Sequence, residues 1–145
     1  GVVMLTSEGV WMLKQRFLLN HGYHSVAQAP PSFNLMVKQF EPGPLPSLPT
    51  DWDQRAERYG QGLSVVKADQ CPYIADAVRS VQEVARSRGI PARVVDLTSS
   101  QQVRDSAPTA YGAFQIVLNG KVLCYYYMLP KDLEKVLDRE LAAKH

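Results

Sequence analysis

The chain has 145 residues, 46% of them hydrophobic and 21% charged, and its net charge at pH 7 is +2. This size allows one domain or two small ones of ordinary globular composition. The low net charge, without a dense basic cluster interleaved with aromatic residues, argues against a nucleic-acid partner. Since no apolar run approaches the roughly 18 residues of a membrane span and no apolar signal segment follows the N-terminus, we expect a cytoplasmic protein without a membrane partner.

The chain begins with a predicted strand and helix. The apolar run 2–5 predicts the strand, and Thr6 or Ser7 is expected to cap the helix that follows. Gly22 is expected to end this helix, because glycine adopts the left-handed conformation at little cost. The positions that recur at helical spacing are Val10, Leu13, Phe17 and Leu18.

A hairpin is predicted next, and the chain then divides. Strands 23–28 and 32–40 are expected to pair across Pro30-Pro31, with Phe33, Leu35 and Val37 on one face. The following segment carries four of the ten prolines, which disfavours helices and central strands.

Three parts are therefore predicted. Residues 1–40 form the first, residues 41–60 a proline-rich linker with a short polar helix, and residues 61–145 a separate domain.

Strands and helices alternate in the predicted third part. We expect strand 63–68, helix 72–88, strand 92–97 and a short helix over 99–105, with Gly89 ending the first helix. Two strands joined through a helix should be parallel with a right-handed crossover. The buried stripe of the first helix is expected to contain Ile74, Val78, Val81 and Ala85.

The clearest hairpin signal lies near the C-terminus. Segments 113–118 and 121–127 flank Asn119-Gly120, which suits a type I′ turn, and Pro130 opens a last helix. The predicted fold class is therefore α/β (α+β), with a βαβαββα order and a mixed four-stranded sheet. The expected buried face of the last helix contains Leu133, Val136, Leu137 and Leu141.

The main chemical candidate is Cys71, at the junction of strand 63–68 and the next helix. A helix N-terminus stabilises a thiolate, and Lys67 adds positive charge nearby in sequence. Ile74 occupies the second-cysteine position of Cys-x-x-Cys, so the site cannot close a local disulfide. Cys71 is therefore a candidate nucleophile, and the alternative is a vestigial cysteine that caps the helix.

Residues 61–142 resemble the thioredoxin-like superfamily, and within it the small C-terminal domain of YoaP-like acetyltransferases. The matching segments are 68–74, 112–114 and 117–121. The resemblance implies a reactive thiol at Cys71 at the start of a helix and, opposite it, a cis-proline where this chain has Gly112. The candidate ligand-contact residues are Pro72, Tyr73, Tyr111 and Gly112.

Residues 1–40 resemble the C-terminal part of a GNAT-type N-acetyltransferase. Segment 17–23 is similar to the end of a helix in that family, with the glycine and aromatic residue that enter the penultimate strand. The acetyl-CoA loop of the family is absent, and its catalytic tyrosine falls at Leu18. The resemblance implies the C-terminal portion of an acyl-CoA-dependent N-acetyltransferase, with acetyl-CoA as the cofactor of an intact parent and no turnover by this chain alone.

Three functions remain open, and whether the chain is an enzyme stays open with them. The chain is a portion of an N-acetyltransferase, a monothiol glutaredoxin-like redox or glutathione-binding domain that uses Cys71, or an accessory module that binds a peptide or small molecule. No metal is expected, because the cysteines and the three histidines, His21, His24 and His145, lack zinc-ligand spacing.

Other residues have both a structural and a functional interpretation. Ser7, Glu8 and Trp11 could touch a substrate in a parent enzyme, but capping and packing explain them equally well. Cys124 is expected to be buried and inert, on one strand face with Val122 and Tyr126. The apolar edge of strand 2–5 predicts a homodimer.

Overall fold

The computed structural model describes residues 1–9 and 12–143. These residues form a mixed α and β fold with two sheets. One compact unit consists of Gly1–Trp52 and Thr109–Tyr111, and the other of Asp53–Pro108 and the residues from Gly112 onward. None of the helices in the described ranges is long and apolar enough to cross a membrane.

The first unit contains a three-stranded antiparallel sheet in the order β1-β3-β2. Phe33, Leu35 and Val37 of the central strand are buried, which confirms the predicted alternation, and Met36 on the opposite face is buried as well. The homodimer predicted through the β1 edge stays a prediction. The elements of this unit are β1 (Val2–Thr6), α1 (Gln15–Leu19), β2 (His24–Ala29) and β3 (Phe33–Lys38).

Helix α1 is shorter than predicted, and neither proposed cap is used. Thr6 belongs to β1, and the Ser7 hydroxyl accepts the Gly9 N–H at 3.1 Å, which closes a local turn in place of a helix start. The N-cap position is Lys14, with no side-chain bond. Leu18 is buried, whereas the predicted core positions Leu13 and Phe17 are exposed, and Val10 lies outside the described residues.

Gly22 ends α1 as predicted. Its φ is +80°, its N–H donates to the Leu19 carbonyl at 3.2 Å, and the Tyr23 N–H reaches the Leu18 carbonyl at 3.1 Å. This pair of bonds is the Schellman motif, which satisfies two carbonyls at the helix end.

The second unit contains the predicted mixed four-stranded sheet, in the order β5-β4-β6-β7. Strands β4 and β5 are parallel, and the β4–β6 and β6–β7 pairs are antiparallel. The elements from α2 onward are α2 (Trp52–Glu57), β4 (Leu63–Lys67), α3 (Ile74–Ser87), β5 (Ala92–Asp96), α4 (Ser100–Ser106), β6 (Phe114–Leu118), β7 (Lys121–Cys124) and α5 (Pro130–Ala142).

Helices α3 and α5 cover one face of this sheet with a large apolar cluster. The whole predicted stripe of α3 is buried, as are Leu133 and Leu137 of α5, while Leu141 is only partly buried. The Arg88 guanidinium makes two hydrogen bonds to the Asp138 carboxylate, which ties α3 to α5.

The last hairpin has the predicted turn but a shorter second strand. Asn119 and Gly120 have φ of 51° and 78°, as a type I′ turn requires. Strand β7 ends at Cys124, so the prediction of a strand to residue 127 was wrong. An irregularity in the β6–β7 register pairs Val122 with Val117 and Cys124 with Ile116.

This bulge changes the face that Cys124 occupies. Cys124 joins the α3/α5 cluster, whereas Val122 packs against the apolar cluster of the opposite face. The prediction that both share one face was therefore wrong, because the extra residue of a bulge reverses the alternation of side chains.

Candidate functional site

Cys71 lies in an exposed turn just before α3. Its carbonyl accepts the Ile74 N–H at 3.2 Å, and its thiol is free. The N-cap position of α3 is Tyr73, and no side chain caps the helix, so the reading of Cys71 as a capping residue is wrong. Pro72 and Tyr73 belong to the same exposed turn, and Tyr73 is 76% exposed.

The positive charge expected beside this turn, the ammonium of Lys67, is already paired with two carboxylates. The Lys67 ammonium lies 2.6 Å from Asp69 Oδ1 and 3.1 Å from Asp96 Oδ2, with a largely buried side chain. The hydrogen bond that the Lys67 ammonium donates to Asp69 is the main reason that the pKa of Lys67 is raised. Because two carboxylates hold this ammonium, Lys67 is a poor partner for a thiolate at Cys71.

The predicted counterpart of the thiol, Gly112, has a backbone that excludes proline. Its φ is +72°, whereas the proline ring fixes φ near −65°. A Cβ at this position would lie 2.8 Å from Val103 Cγ1 of α4. The Ala113 carbonyl accepts the Ala68 N–H at 2.9 Å, so this loop runs beside the end of β4. The loop thus differs in conformation, and not only in sequence, from the one that the resemblance implied.

The predicted ligand-contact residues belong to two loops, one before α3 and one before β6. Pro72 and Tyr73 adjoin Cys71, and Gly112 packs against Val103. Tyr111 is 41% exposed and is grouped with the first unit.

Cys124 is buried, as predicted. Its Sγ donates to the Tyr126 carbonyl at 3.4 Å, and burial raises its pKa to about 11. Both cysteines are free, so the described residues contain no disulfide.

A cleft that the sequence analysis missed lies at the carboxyl ends of the parallel strands β4 and β5. Its volume is about 520 Å³, and its walls include Ala68, Asp69, Leu97, Ser100 and Val103. In sheets with parallel strands, ligands bind in crevices at this edge. The predicted β4–α3–β5 unit was the signal that could have located it.

A second cleft of about 330 Å³ lies on the other side of α4. Its walls include Arg58, Tyr59, Gln102 and Ser106. Asp96 and Leu97 border both clefts, so α4 stands between two open grooves.

Polar bonds at both ends hold α4 in place. At its start the Ser99 hydroxyl accepts the Gln102 N–H at 3.2 Å, and Gln102 Oε1 accepts the Thr98 N–H at 2.7 Å. This Ser-x-x-Gln sequence is a capping-box pattern. At its end, Arg55 donates to the carbonyl of Arg104 at 2.5 Å, and Tyr59 to that of Ser106 at 2.6 Å.

The apolar side of α4 contributes little to its attachment. None of its residues is buried, and only Val103 packs against the apolar cluster on this face of the sheet. Helix α4 is therefore fixed at its termini and weakly packed along its length.

Gln115 is a buried polar residue on the same face of the sheet. It is fully buried in β6, and neither its amide nitrogen nor its amide oxygen has a partner among the described residues. Its register partner is Val66, a member of the apolar cluster that Val103 also contacts. Leaving such an amide unpaired costs roughly 1–3 kcal/mol.

The remaining candidate residues have local partners or lie outside the described residues. The Ser7 hydroxyl is 3.0 Å from that of Ser32, and Glu8 pairs with Lys14. His21 Nδ1 is 2.7 Å from the Phe17 carbonyl, and His24 begins β2. Trp11 and His145 lie outside the described residues.

Residues 1–9 and 12–143 contain no group of three His, Cys, Asp or Glu side chains placed to hold a metal ion.

Comparison of the chain with protein-family models, curated proteins and solved structures gives no match.

Proposed function

We propose that this chain is the C-terminal portion of an acyl-CoA-dependent N-acetyltransferase and that its second unit is a YoaP-like, thioredoxin-like module that binds a ligand without thiol chemistry. The observation that carries the binding role is the cleft at the carboxyl ends of β4 and β5, beside a helix held mainly by its ends.

The order of elements supports the kinship of the second unit. A β4–α3–β5 unit is followed by α4, an antiparallel hairpin and a final helix around one mixed sheet. The resemblance implies this βαβαββα order. In the first unit, the glycine turn at Gly22 leading into an antiparallel hairpin supports the acetyltransferase resemblance.

The alternative is a monothiol glutaredoxin-like function, which the exposure of Cys71 before α3 favours. Cys71 would attack a protein–glutathione disulfide and release the protein thiolate. Glutathione would then reduce the Cys71–glutathione disulfide and leave as oxidised glutathione. Two observations weigh against this function: Lys67 is held by two carboxylates, and Gly112 has a left-handed backbone.

Alkylation of Cys71 by iodoacetamide separates the two functions. The labelled residue is identified by peptide mapping, with free glutathione measured at the same pH and Cys71→Ser as the blank. A binding module predicts that Cys71 reacts no faster than glutathione near neutral pH. Reaction that is much faster than that of glutathione would support the redox function and overturn the proposal.

Release of coenzyme A tests the acetyltransferase part. Because the acetyl-CoA loop is absent, this chain mixed with acetyl-CoA and primary amines should release no coenzyme A above the spontaneous rate. Turnover that saturates with acetyl-CoA would show that the donor site lies within these residues.

A further inference from the structure

The second cleft, of about 330 Å³, is bordered by two positively charged side chains. Arg55 of α2 and Arg58, just after this helix, line the cleft together with Tyr59. The backbone stays helical beyond α2, because the Arg58 N–H donates to the Gln54 carbonyl at 3.3 Å. Residues three and four positions apart on a helix share one face. One face of this segment therefore brings two guanidinium groups and a phenol ring to the same cleft.

Bonds to the end of α4 hold this face in position. The side chains of Arg55, Arg58 and Tyr59 donate to the carbonyls of residues 104, 105 and 106, at 2.5, 3.5 and 2.6 Å respectively. A guanidinium has five N–H donors in a rigid fork, so it can bind a carbonyl and an oxyanion at the same time. The bonds to α4 therefore fix the two arginines at the wall of the cleft before any ligand arrives.

The positive charges act on the interior of this wall. Tyr59 and Arg55 are each 8% exposed. Burial raises the pKa of Tyr59, and the guanidinium groups of Arg58, Arg55 and Arg93 oppose this rise. Three positive charges thus act on the phenol that lines the cleft.

The wall of the cleft carries little negative charge. Among the described residues that line it, Asp96 alone has a carboxylate, and this carboxylate lies 3.1 Å from the Lys67 ammonium. A concave surface with an excess of one charge raises the local concentration of ions of opposite charge. The second cleft therefore favours an anion.

Apolar residues complete the lining. Val95 of β5 and Leu97, just after this strand, belong to the wall of the same cleft. A ligand pocket typically combines apolar walls with a few polar groups that orient the ligand, and the volume of about 330 Å³ suits a small molecule.

We infer that the second cleft binds a small organic anion whose phosphate or carboxylate group pairs with Arg55 and Arg58 and whose apolar body packs against Val95 and Leu97. Guanidinium groups bind both kinds of oxyanion through paired N–H···O bonds. This inference goes beyond the proposed function, because it assigns a ligand class to a groove other than the cleft at the carboxyl ends of β4 and β5.

Benzoate and benzamide form a matched pair of probes, because they share the ring and a planar head group and differ in charge. Phenyl phosphate presents the same ring on a phosphate. Each is titrated into ¹⁵N-labelled protein at constant ionic strength while the backbone amide signals of Tyr59, Gln102 and Ser106 are followed by NMR. We expect benzoate or phenyl phosphate to shift these signals and to bind about tenfold more tightly than benzamide. The tighter anion identifies the preferred group.

Two variants locate the effect. Arg58→Gln removes one positive charge at an exposed position of the cleft and should weaken binding of the preferred anion about tenfold. Arg79→Gln makes the same change on α3, where the Arg79 guanidinium lies 3.4 Å from Asp76, and should retain the affinity. The wild-type titrations decide the question even if Arg58→Gln does not fold.

Equal binding of the three probes, unmoved signals, or equal losses of affinity in the two variants would overturn the inference. The two arginines would then serve only to hold the end of α4. This failure is distinct from failure of the proposed function, which rapid alkylation of Cys71 would indicate.

Discussion

The two faces of the four-stranded sheet are built differently. The face under α3 and α5 carries a large apolar cluster, and the Arg88–Asp138 ion pair ties the end of α3 to α5. The face under α4 has a smaller cluster and an unpaired buried amide, and α4 has no buried side chain. The difference indicates that the face under α3 and α5 supplies most of the stability of the second unit.

The same Val→Ala substitution on the two faces of the sheet should lower the free energy of unfolding by clearly different amounts. This is the largest effect that we expect. Val81→Ala removes two methyl groups from a fully packed position of α3 and should lower the free energy of unfolding by about 2–3 kcal/mol. Val103→Ala makes the same change at a partly buried position of α4 and should cost less than about 1 kcal/mol. Urea denaturation measures both, and equal losses would remove the contrast.

Substitution at Gly112 tests how the loop before β6 meets α4. Gly112→Ala should cost about 2 kcal/mol, because φ is +72° and the new Cβ would lie 2.8 Å from Val103 Cγ1. In the Val103→Ala background the steric part should disappear and the backbone part should remain. A neutral Gly112→Ala substitution would show that the loop relaxes freely.

Replacing the unpaired amide of Gln115 should stabilise the sheet face under α4. Gln115→Met removes a buried polar group that has no partner among the described residues, and it should raise the free energy of unfolding by about 1–2 kcal/mol. Thermal and urea unfolding measure the change, with Gln101→Met as the surface control. Destabilisation by Gln115→Met alone would mean that the amide is paired within the protein.

The smallest expected effect concerns the ion pair between Lys121 of β7 and Glu140 of α5. Lys121 lies 2.8 Å from Glu140, and this hydrogen bond is the main reason that the pKa of Glu140 is lowered from its ordinary 4.5. A lowered pKa contributes stability above the unfolded-state pKa, and that stability is lost as the pH falls through the folded-state pKa. Lys121→Met should therefore cost less than about 1 kcal/mol at pH 7 and almost nothing near pH 2. A penalty that persists unchanged at pH 2 would exclude the ion pair as its cause.

Local sequence patterns predicted most of the second unit. The spacing of apolar residues in α3, the Asn119-Gly120 turn and Pro130 at the start of α5 act over a few residues, so the sequence displays them directly. Two failures came from competing local interactions. The Ser7 hydroxyl closes a turn where a helix start was expected, and the β6–β7 bulge places Cys124 on the opposite face from Val122.

The candidate site was harder to predict because it depends on contacts between distant segments. Gln115 sits within an apolar strand pattern, and its lack of a partner becomes visible only when the sheet register and burial are known. The compensation of Lys67 by Asp96 likewise requires the parallel pairing of β4 with β5. The motif around Cys71 drew attention to the thiol, although Asp69 and Gln70 of the same segment line the cleft.

Native-state hydrogen exchange tests the difference between the two faces most directly. Amides of α3 and α5 should exchange only through global unfolding, whereas those of α4 should exchange through a local opening with a free energy several kcal/mol lower. Protection of α4 equal to that of α3 would contradict the account.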